Sequence, residues 1–182
     1  MRKLFWQMMV SLDGFMEGPN HELDWHVTDE DFAHYVADME QAIDEMIFGR
    51  VTYQMMAAYW PTATDPEARM MNALPKVVVS RTLTRVDWNN TRLVKDNVAD
   101  EVRRLKQRPG KDIAIFGSAD LASSLLRWGL IDEVRLFVNP VLLGGGSPVF
   151  KNVEGRRTLK LLDTHSWRSG VVILTYQPIG RP

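Results

Sequence analysis

Three short stretches combine glycine, hydroxyl and guanidinium groups in a way suited to holding phosphate: Phe48-Gly49-Arg50-Val51-Thr52, Val79-Ser80-Arg81-Thr82 and Phe116-Gly117-Ser118-Ala119. Each follows an apolar run that reads as a strand and leads into a loop or a helix. At a helix start the first amides have no acceptor within the helix and the dipole is positive, so an anion is stabilised there. Arg50, Ser80 and Arg81 add charge and hydroxyl donors that suit a phosphate monoester, such as the 2′-phosphate that distinguishes NADPH from NADH. Taken singly, each junction is equally well an ordinary turn with a capping serine. Their agreement in pattern favours the binding role. None of them matches GxGxxG or the P-loop pattern, so neither of those nucleotide-binding families is supported.

Two carboxylates stand where a proton could be delivered. Asp13 follows the first apolar run in Ser11-Leu12-Asp13-Gly14, and Glu30 lies five residues after Trp25 near the start of the first helix. Reduction of a C=N or C=O bond needs a proton as well as a hydride, from a carboxylic acid or an ordered water. Asp13 is equally a turn-forming residue before glycine, and Glu30 equally an acid complementing a helix dipole. The four histidines, His21, His26, His34 and His165, lack the spacing and accompanying acids of a metal site, so no metal is expected. The methionine pairs and Trp6, Trp25 and Trp60 read as core or interface filler.

The elements that must carry these residues alternate between strand and helix. Leu4 to Val10 is a buried strand. Apolar positions Tyr35, Val36, Met39 and Ile43 share one helical face, with Thr28 and Asp31 resembling a capping box at its start. Met46 to Phe48 is a short strand running into a helix that ends near Ala58, and a short helix spans Glu67 to Ala73. Lys76 to Ser80 and Arg92 to Val94 are strands. Val98, Val102 and Leu105 mark a helix that Pro109-Gly110 ends. Ile113 to Phe116 passes through Gly117 into a helix holding Leu121 and Leu125. A strand around Val134 to Val138 leads to Gly144-Gly145-Gly146, a flexible turn or a wall beside a ligand. Thr158 to Leu162 and Val171 to Gln177 form an antiparallel hairpin. The pattern predicts an α/β domain with a mixed sheet, parallel first and antiparallel last.

With 182 residues, a single domain is expected over 1–182. A net charge of −1 with mixed signs offers no basic stripe to nucleic acid or to anionic lipid. No cysteine is present, which excludes disulfides and thiolate chemistry. The apolar run at the start is too short and too polar for a signal peptide or a membrane span, so the chain reads as cytoplasmic.

Ser11-Leu12-Asp13-Gly14-Phe15, Phe48-Gly49-Arg50-Val51-Thr52-Tyr53, Val77-Val78-Val79-Ser80-Arg81-Thr82-Leu83, Ile115-Phe116-Gly117-Ser118 and Pro140-Val141-Leu142-Leu143-Gly144-Gly145-Gly146 occur in the order seen in the riboflavin-biosynthesis reductase domain. From about Lys3 to Tyr176 the chain resembles a stand-alone member of that family, within the dihydrofolate-reductase-like superfamily. The resemblance implies a three-layer fold, a central sheet flanked by helices, and NADPH as cofactor. It implies that Gly49, Arg50, Val51 and Thr52, with Ser80, Arg81 and Thr82, line the adenosine-phosphate side. Gly117, Ser118, Ala119, Asp120 and Leu121 would hold the pyrophosphate. Val10, Ser11 and Gly14, with Gly144 and Gly145, would border the nicotinamide.

The implied reaction is reduction of a pteridine- or pyrimidine-type heterocycle, as by 5-amino-6-(5-phosphoribosylamino)uracil reductase, in a homodimer. Dihydrofolate reduction proper and a non-catalytic nucleotide-binding role are the alternatives. Two features depart from the family pattern. The chain supplies none of the cysteine ligands of the zinc deaminase domain that often precedes this reductase, and Met55 to Pro61, where a ribose-phosphate segment would stand, is largely apolar.

Overall fold

The computed structural model of the chain describes residues 1–180. In chain order its elements are β1 (Leu4–Ser11), β2 (Phe15–Glu17), α1 (Glu30–Ala42), β3 (Ile43–Gly49), α2 (Arg50–Tyr59), α3 (Ala68–Ala73), β4 (Lys76–Val79), β5 (Thr91–Val94), α4 (Val98–Gln107), β6 (Asp112–Phe116), α5 (Ala119–Arg127), β7 (Glu133–Asn139), β8 (Ser147–Pro148), β9 (Thr158–Ser166) and β10 (Val172–Ile179). The main sheet has the order β5-β4-β3-β6-β1-β7-β10-β9. Its first six strands are parallel, and β10 and β9 close it in antiparallel fashion.

β1 lies inside the sheet, and alternation along it builds the two cores. Leu4, Trp6, Met8 and Val10 pack with Val102 and Leu105 of α4 and Ala122 and Leu125 of α5. Phe5 points the other way, into a cluster with Val36 and Met39 of α1, Tyr53 of α2 and Met70 and Met71 of α3. The mixed sheet expected from the alternation of elements is therefore the observed one, with the flanking helix layers that the resemblance implies. The hairpin is longer than its hydrophobic pattern suggests, reaching Ser166 and Ile179. Two very short strands, β2 and β8, pair outside the main sheet.

The cap of α1 differs from expectation. Asp29, not Thr28, accepts from the Phe32 amide at 3.0 Å, and Asp31 accepts instead from the Arg168 amide at 3.1 Å. Asp29 sits three residues before Phe32, the spacing a capping side chain needs, and this leaves Asp31 free to tie the helix to the β9–β10 turn.

Beneath α1 the sheet face carries a polar network. Tyr35 Oη donates to Gln7 Oε1 at 2.7 Å and accepts from Arg135 Nη1 at 3.1 Å. Glu133 accepts from Arg135 Nε at 2.6 Å and from Lys3 Nζ at 2.8 Å. Burial alone would raise the Glu133 carboxyl, but its two cationic partners hold it below the usual range. The guanidinium of Arg135 also lies 3.8 Å from the Phe5 ring centre. Every member of this buried set is paired, the condition under which polar groups are tolerated in a core. Lys76 is buried too: its ammonium donates to the carbonyls of Met71 and Leu74 at 2.8 and 2.6 Å, closing the end of α3. Burial pulls its pKa down to about 8.

The segment between β2 and α1 is tied to the sheet by the Val27 amide, which donates to Asn139 Oδ1 at 2.9 Å. Beside it, His26 packs edge-on against Trp25 and its Nε2 is buried without a hydrogen-bond partner. Burial lowers its pKa to about 4, against about 6.5 in an unfolded chain. Between these values the unfolded chain binds the extra proton, so this contribution is complete above pH 6.5 and is lost as pH falls. Denaturant unfolding should show His26→Phe losing about 2 kcal/mol less stability than the unsubstituted chain between pH 7 and pH 5. Equal losses would mean that the imidazole does not control this transition.

Candidate functional site

The carboxyl ends of β4, β3, β6, β1 and β7 lie side by side because these strands are parallel neighbours. Gly49 is in register with Val79, so Ser80 follows directly beside it, and Gly117 continues from β6 on the other side. The three junctions picked out by their glycines and hydroxyls therefore share one edge of the sheet, the edge where open α/β sheets place their ligands.

Two of the junctions are braced together. Ser118 Oγ accepts from the Gly49 amide at 2.8 Å, and the Ser118 amide donates to Thr52 Oγ1 at 3.1 Å. Each hydroxyl thus links one turn to the other. Neither α2 nor α5 has a side chain capping its first amides, and their N-cap residues are Gly49 and Ser118. Two helix starts with free donors consequently stand next to each other. Gly117 turns into α5 with φ +59°, and a Cβ placed there would lie 3.3 Å from both Thr52 Cγ2 and Oγ1. A side chain would meet both backbone strain and the brace itself. From below, buried Trp6 donates through Nε1 to the Gly117 carbonyl at 2.8 Å.

Around this pair, Arg50, Val51, Arg81 and Thr82 are exposed, and Arg50 Nη1 donates to Gln54 Oε1 at 3.0 Å. Ser80 is buried and its Oγ accepts from the amides of Thr82 and Leu83 at 3.2 and 3.1 Å. That shapes the turn, and the Thr82 hydroxyl lies within hydrogen-bond distance of the same oxygen, at 3.4 Å. In α5, Ala119 is buried, Leu121 packs on the core, and exposed Asp120 receives Asn152 Nδ2 at 3.2 Å.

A second unit forms at the tip of β1. Val10 and Ser11 are buried, and Gly14 has φ +89°. Asp13 accepts from the amides of Leu143 and Gly144 at 3.1 and 2.8 Å and from Ser11 Oγ at 2.7 Å. The Gly14 carbonyl accepts from the Val149 amide at 3.0 Å. The glycine run is thereby strapped along the loop that follows β1, with Gly144 and Gly145 in the strap. Gly146 passes so close that a Cβ would lie 2.0 Å from the Glu17 carbonyl oxygen. Glu17 Oε1 in turn accepts from Ser147 Oγ at 2.5 Å and from His21 Nδ1 at 2.9 Å.

In this arrangement the Asp13 carboxylate is the acceptor for donors from two loops. The Ser11 hydroxyl, followed by the Gly144 and Leu143 amides, lowers its pKa, so the group is an ionised acceptor at neutral pH. Glu30 sits exposed in the first turn of α1, beyond Asp29.

A cleft of about 520 Å³ opens elsewhere, between α1 and the β7-β10-β9 face, lined by Tyr35, Asp38, Arg135, Asp163 and His165 among others. Another, of about 410 Å³, lies beside α2 between Tyr53, Ala57, Pro61, Arg85 and Trp88. Among the described residues no group of three or more His, Asp or Glu side chains is arranged to hold a metal ion, and no helix is long and apolar enough to cross a membrane.

Residues 2–175 match the family model of the RibD C-terminal domain. The chain is 37% identical over 180 residues to the uncharacterized protein YyaP of Bacillus subtilis (strain 168), covering 96% of this chain and 94% of that one. Among solved structures, one from Shewanella sp. PV-4 described as a riboflavin biosynthesis protein superposes with TM-score 0.78 at 23% identity, covering 98% and 99% of the two chains. A Thermotoga maritima diaminohydroxyphosphoribosylaminopyrimidine deaminase/5-amino-6-(5-phosphoribosylamino)uracil reductase gives TM-score 0.69 at 14% identity over 98% of this chain and 57% of its own. Dihydrofolate reductase from Enterococcus faecalis, complexed with NADP(H), gives 0.61 at 13% identity over 97% and 96%. These structures show that the fold is the dihydrofolate-reductase-like one.

The strap at β1 has a direct readout. In Asp13→Ala, amide hydrogen exchange at Leu143 and Gly144 should speed up severalfold, because both donors lose their acceptor. Asp13→Asn, which keeps one acceptor oxygen, should fall between. Unchanged exchange in the alanine variant would show that the loop holds itself in place.

Proposed function

This chain belongs to the RibD C-terminal domain family, and on that premise we propose that it is a cytoplasmic NADPH-dependent reductase of a pteridine- or pyrimidine-type heterocycle, working as a homodimer. The observation that carries the cofactor reading is the adjacent pair of uncapped helix starts, α2 and α5, held together through Ser118 and Thr52. Free amides at two neighbouring positive helix ends make a seat for the linked phosphates of a dinucleotide. Bulk at Gly117 would disturb that seat, as a cradle for a phosphate chain requires.

In this reading Gly117 to Leu121 hold the pyrophosphate. Gly49 to Thr52, with Ser80 to Thr82, surround the adenosine phosphate, where Arg50 and Arg81 are the exposed cations. Val10, Ser11 and Gly14 with Gly144 and Gly145 border the nicotinamide, and when bound NADPH supplies the hydride. Asp13 holds the wall of this region rather than exchanging protons, so the proton reaches the substrate from water. The NADP(H) complex of the Enterococcus faecalis enzyme and the uracil reductase of Thermotoga maritima support this reading through the shared fold.

Within the substrate class, one observation favours an unphosphorylated, pteridine-like heterocycle over a ribosyl phosphate. Where a ribose-phosphate segment would stand, the exposed side of α2 presents Met55 and Tyr59, 46% and 52% exposed, one helical turn apart. An apolar stripe offers nothing to a phosphate.

Quenching or enhancement of NADPH fluorescence on titration tests the cofactor, and turnover of dihydrofolate against the phosphoribosylamino-pyrimidine separates the substrates. Arg81→Ala should weaken NADPH binding roughly tenfold while leaving NADH binding nearly unchanged, since only NADPH carries the extra phosphate. Equal losses for both cofactors would remove Arg81 from the phosphate site. No uptake of either would end the reductase reading.

A further inference from the structure

Asp120 puts a negative charge at one of the two helix starts that the cofactor reading assigns to a pyrophosphate. It is the second residue of α5, and no side chain caps the first amides of that helix. A carboxylate in a first helical turn is favoured by the dipole and repels any other anion drawn to the same end. The Asp120 side chain is 68% exposed, so the fold does not bury the charge.

The charge is answered from another loop. Lys151 Nζ lies 3.5 Å from Asp120 Oδ2, and Asn152 Nδ2 donates to Asp120 Oδ1 at 3.2 Å. Both carboxylate oxygens are therefore engaged. The segment that carries these two side chains follows β8 and is fixed at three points. The Val149 amide donates to the Gly14 carbonyl at 3.0 Å, the Phe150 ring meets Trp6 edge-on with ring centres 5.6 Å apart, and Ser123 Oγ of α5 donates to the Lys151 carbonyl at 2.9 Å. Lys151 is also felt by Glu17 beside the glycine strap. Burial alone would raise the Glu17 carboxyl, but the bonds from Ser147 and His21, then the charges of His21 and Lys151, hold it below the usual range. One segment thus runs from the strap at β1 to the start of α5, and its ammonium acts on a carboxylate at each end.

From this placement we propose that Lys151 is a positioning residue of the cofactor site: it neutralises Asp120 at the start of α5, with Asn152 holding the other carboxylate oxygen, so that the free amides there can take a diphosphate. This deepens the cofactor reading above and rests on it. Lys151 acts through Asp120 and not on the cofactor, which sets it apart from a direct phosphate ligand such as Arg81.

Fluorescence titration with NADPH and with NADH, and calorimetry with inorganic pyrophosphate as a third probe, test it. Lys151→Met should weaken all three roughly fivefold, because all carry the diphosphate and Asp120 is left unopposed. The loss should shrink with added salt, since both charges are exposed. Asp120→Asn removes the charge, keeps the backbone amide and should bind at least as tightly as the unsubstituted chain. In the Asp120→Asn background, Lys151→Met should then cost nothing, the non-additivity expected of two residues acting as one pair. Lys151→Arg should restore binding. None of these substitutions removes the Lys151 carbonyl that Ser123 holds, and circular dichroism shows whether each variant is folded. Unchanged binding in Lys151→Met, or an equal loss with and without the Asp120 carboxylate, would overturn the assignment, the second result making Lys151 a ligand or a structural support instead. The expected pattern with pyrophosphate but no uptake of NADPH or NADH would uphold the shielded seat and reject the reductase reading. No uptake of any of the three would reject both.

Discussion

The Ser118 hydroxyl accepts from the backbone of Gly49 rather than from the helix that Ser118 begins, and the Ser118 amide is in turn held by Thr52. A serine in that position would ordinarily serve its own helix. Here it fixes the distance between two strand-to-helix turns and leaves both helix starts with free donors. The left-handed backbone at Gly117 and Ser118 is what aims the serine sideways, and the buried indole of Trp6, through its bond to the Gly117 carbonyl, holds that turn from inside the core. A strained turn of this kind persists only where its surroundings over-determine it. The spacing of the two uncapped helix starts is therefore a property of the packed sheet and not of any one loop.

Much of this is legible in the amino-acid sequence. The order of strands and helices follows from runs such as Val77-Val78-Val79 and from the helical spacing of Tyr35, Val36 and Met39, because burial against a common sheet imposes those periods. The three junctions are visible because glycine and hydroxyl residues recur just where apolar runs end. Elements of two or three residues are not: β2 and β8 are too short to show any period, and they exist only because residues about 130 apart in sequence meet, as Glu17 and Ser147 do.

The polar groups mislead in a consistent direction. Gln7 interrupts an apolar strand, and Arg135 alternates with valine and leucine as though facing water. Both instead enter one network under α1. Asp13 reads as a proton donor or as part of a local turn, and its partners Leu143 and Gly144 lie on another loop altogether. In each case at least one partner is remote in sequence, and hydrogen-bond demand of that kind, unlike hydrophobic periodicity, leaves no local pattern to read. The position of Asp13 is informative all the same, since the residue does stand at the tip of β1, as its role in shaping that tip requires.

The three consecutive glycines beside that tip look interchangeable, yet the space around them grades their tolerance to substitution. Gly145 has an ordinary backbone, and a Cβ added there would meet only Pro19 Cγ, at 3.7 Å, so it can accept other residues. Gly144 has open surroundings but φ +69°, a conformation that asparagine reaches most easily after glycine. Gly146 combines φ +131° with main chain at bonding distance from any Cβ, so no alternative fits. Packing thus tolerates substitution in the middle of this run but not at its last residue, and a library that randomised the loop and selected for folding would recover glycine there.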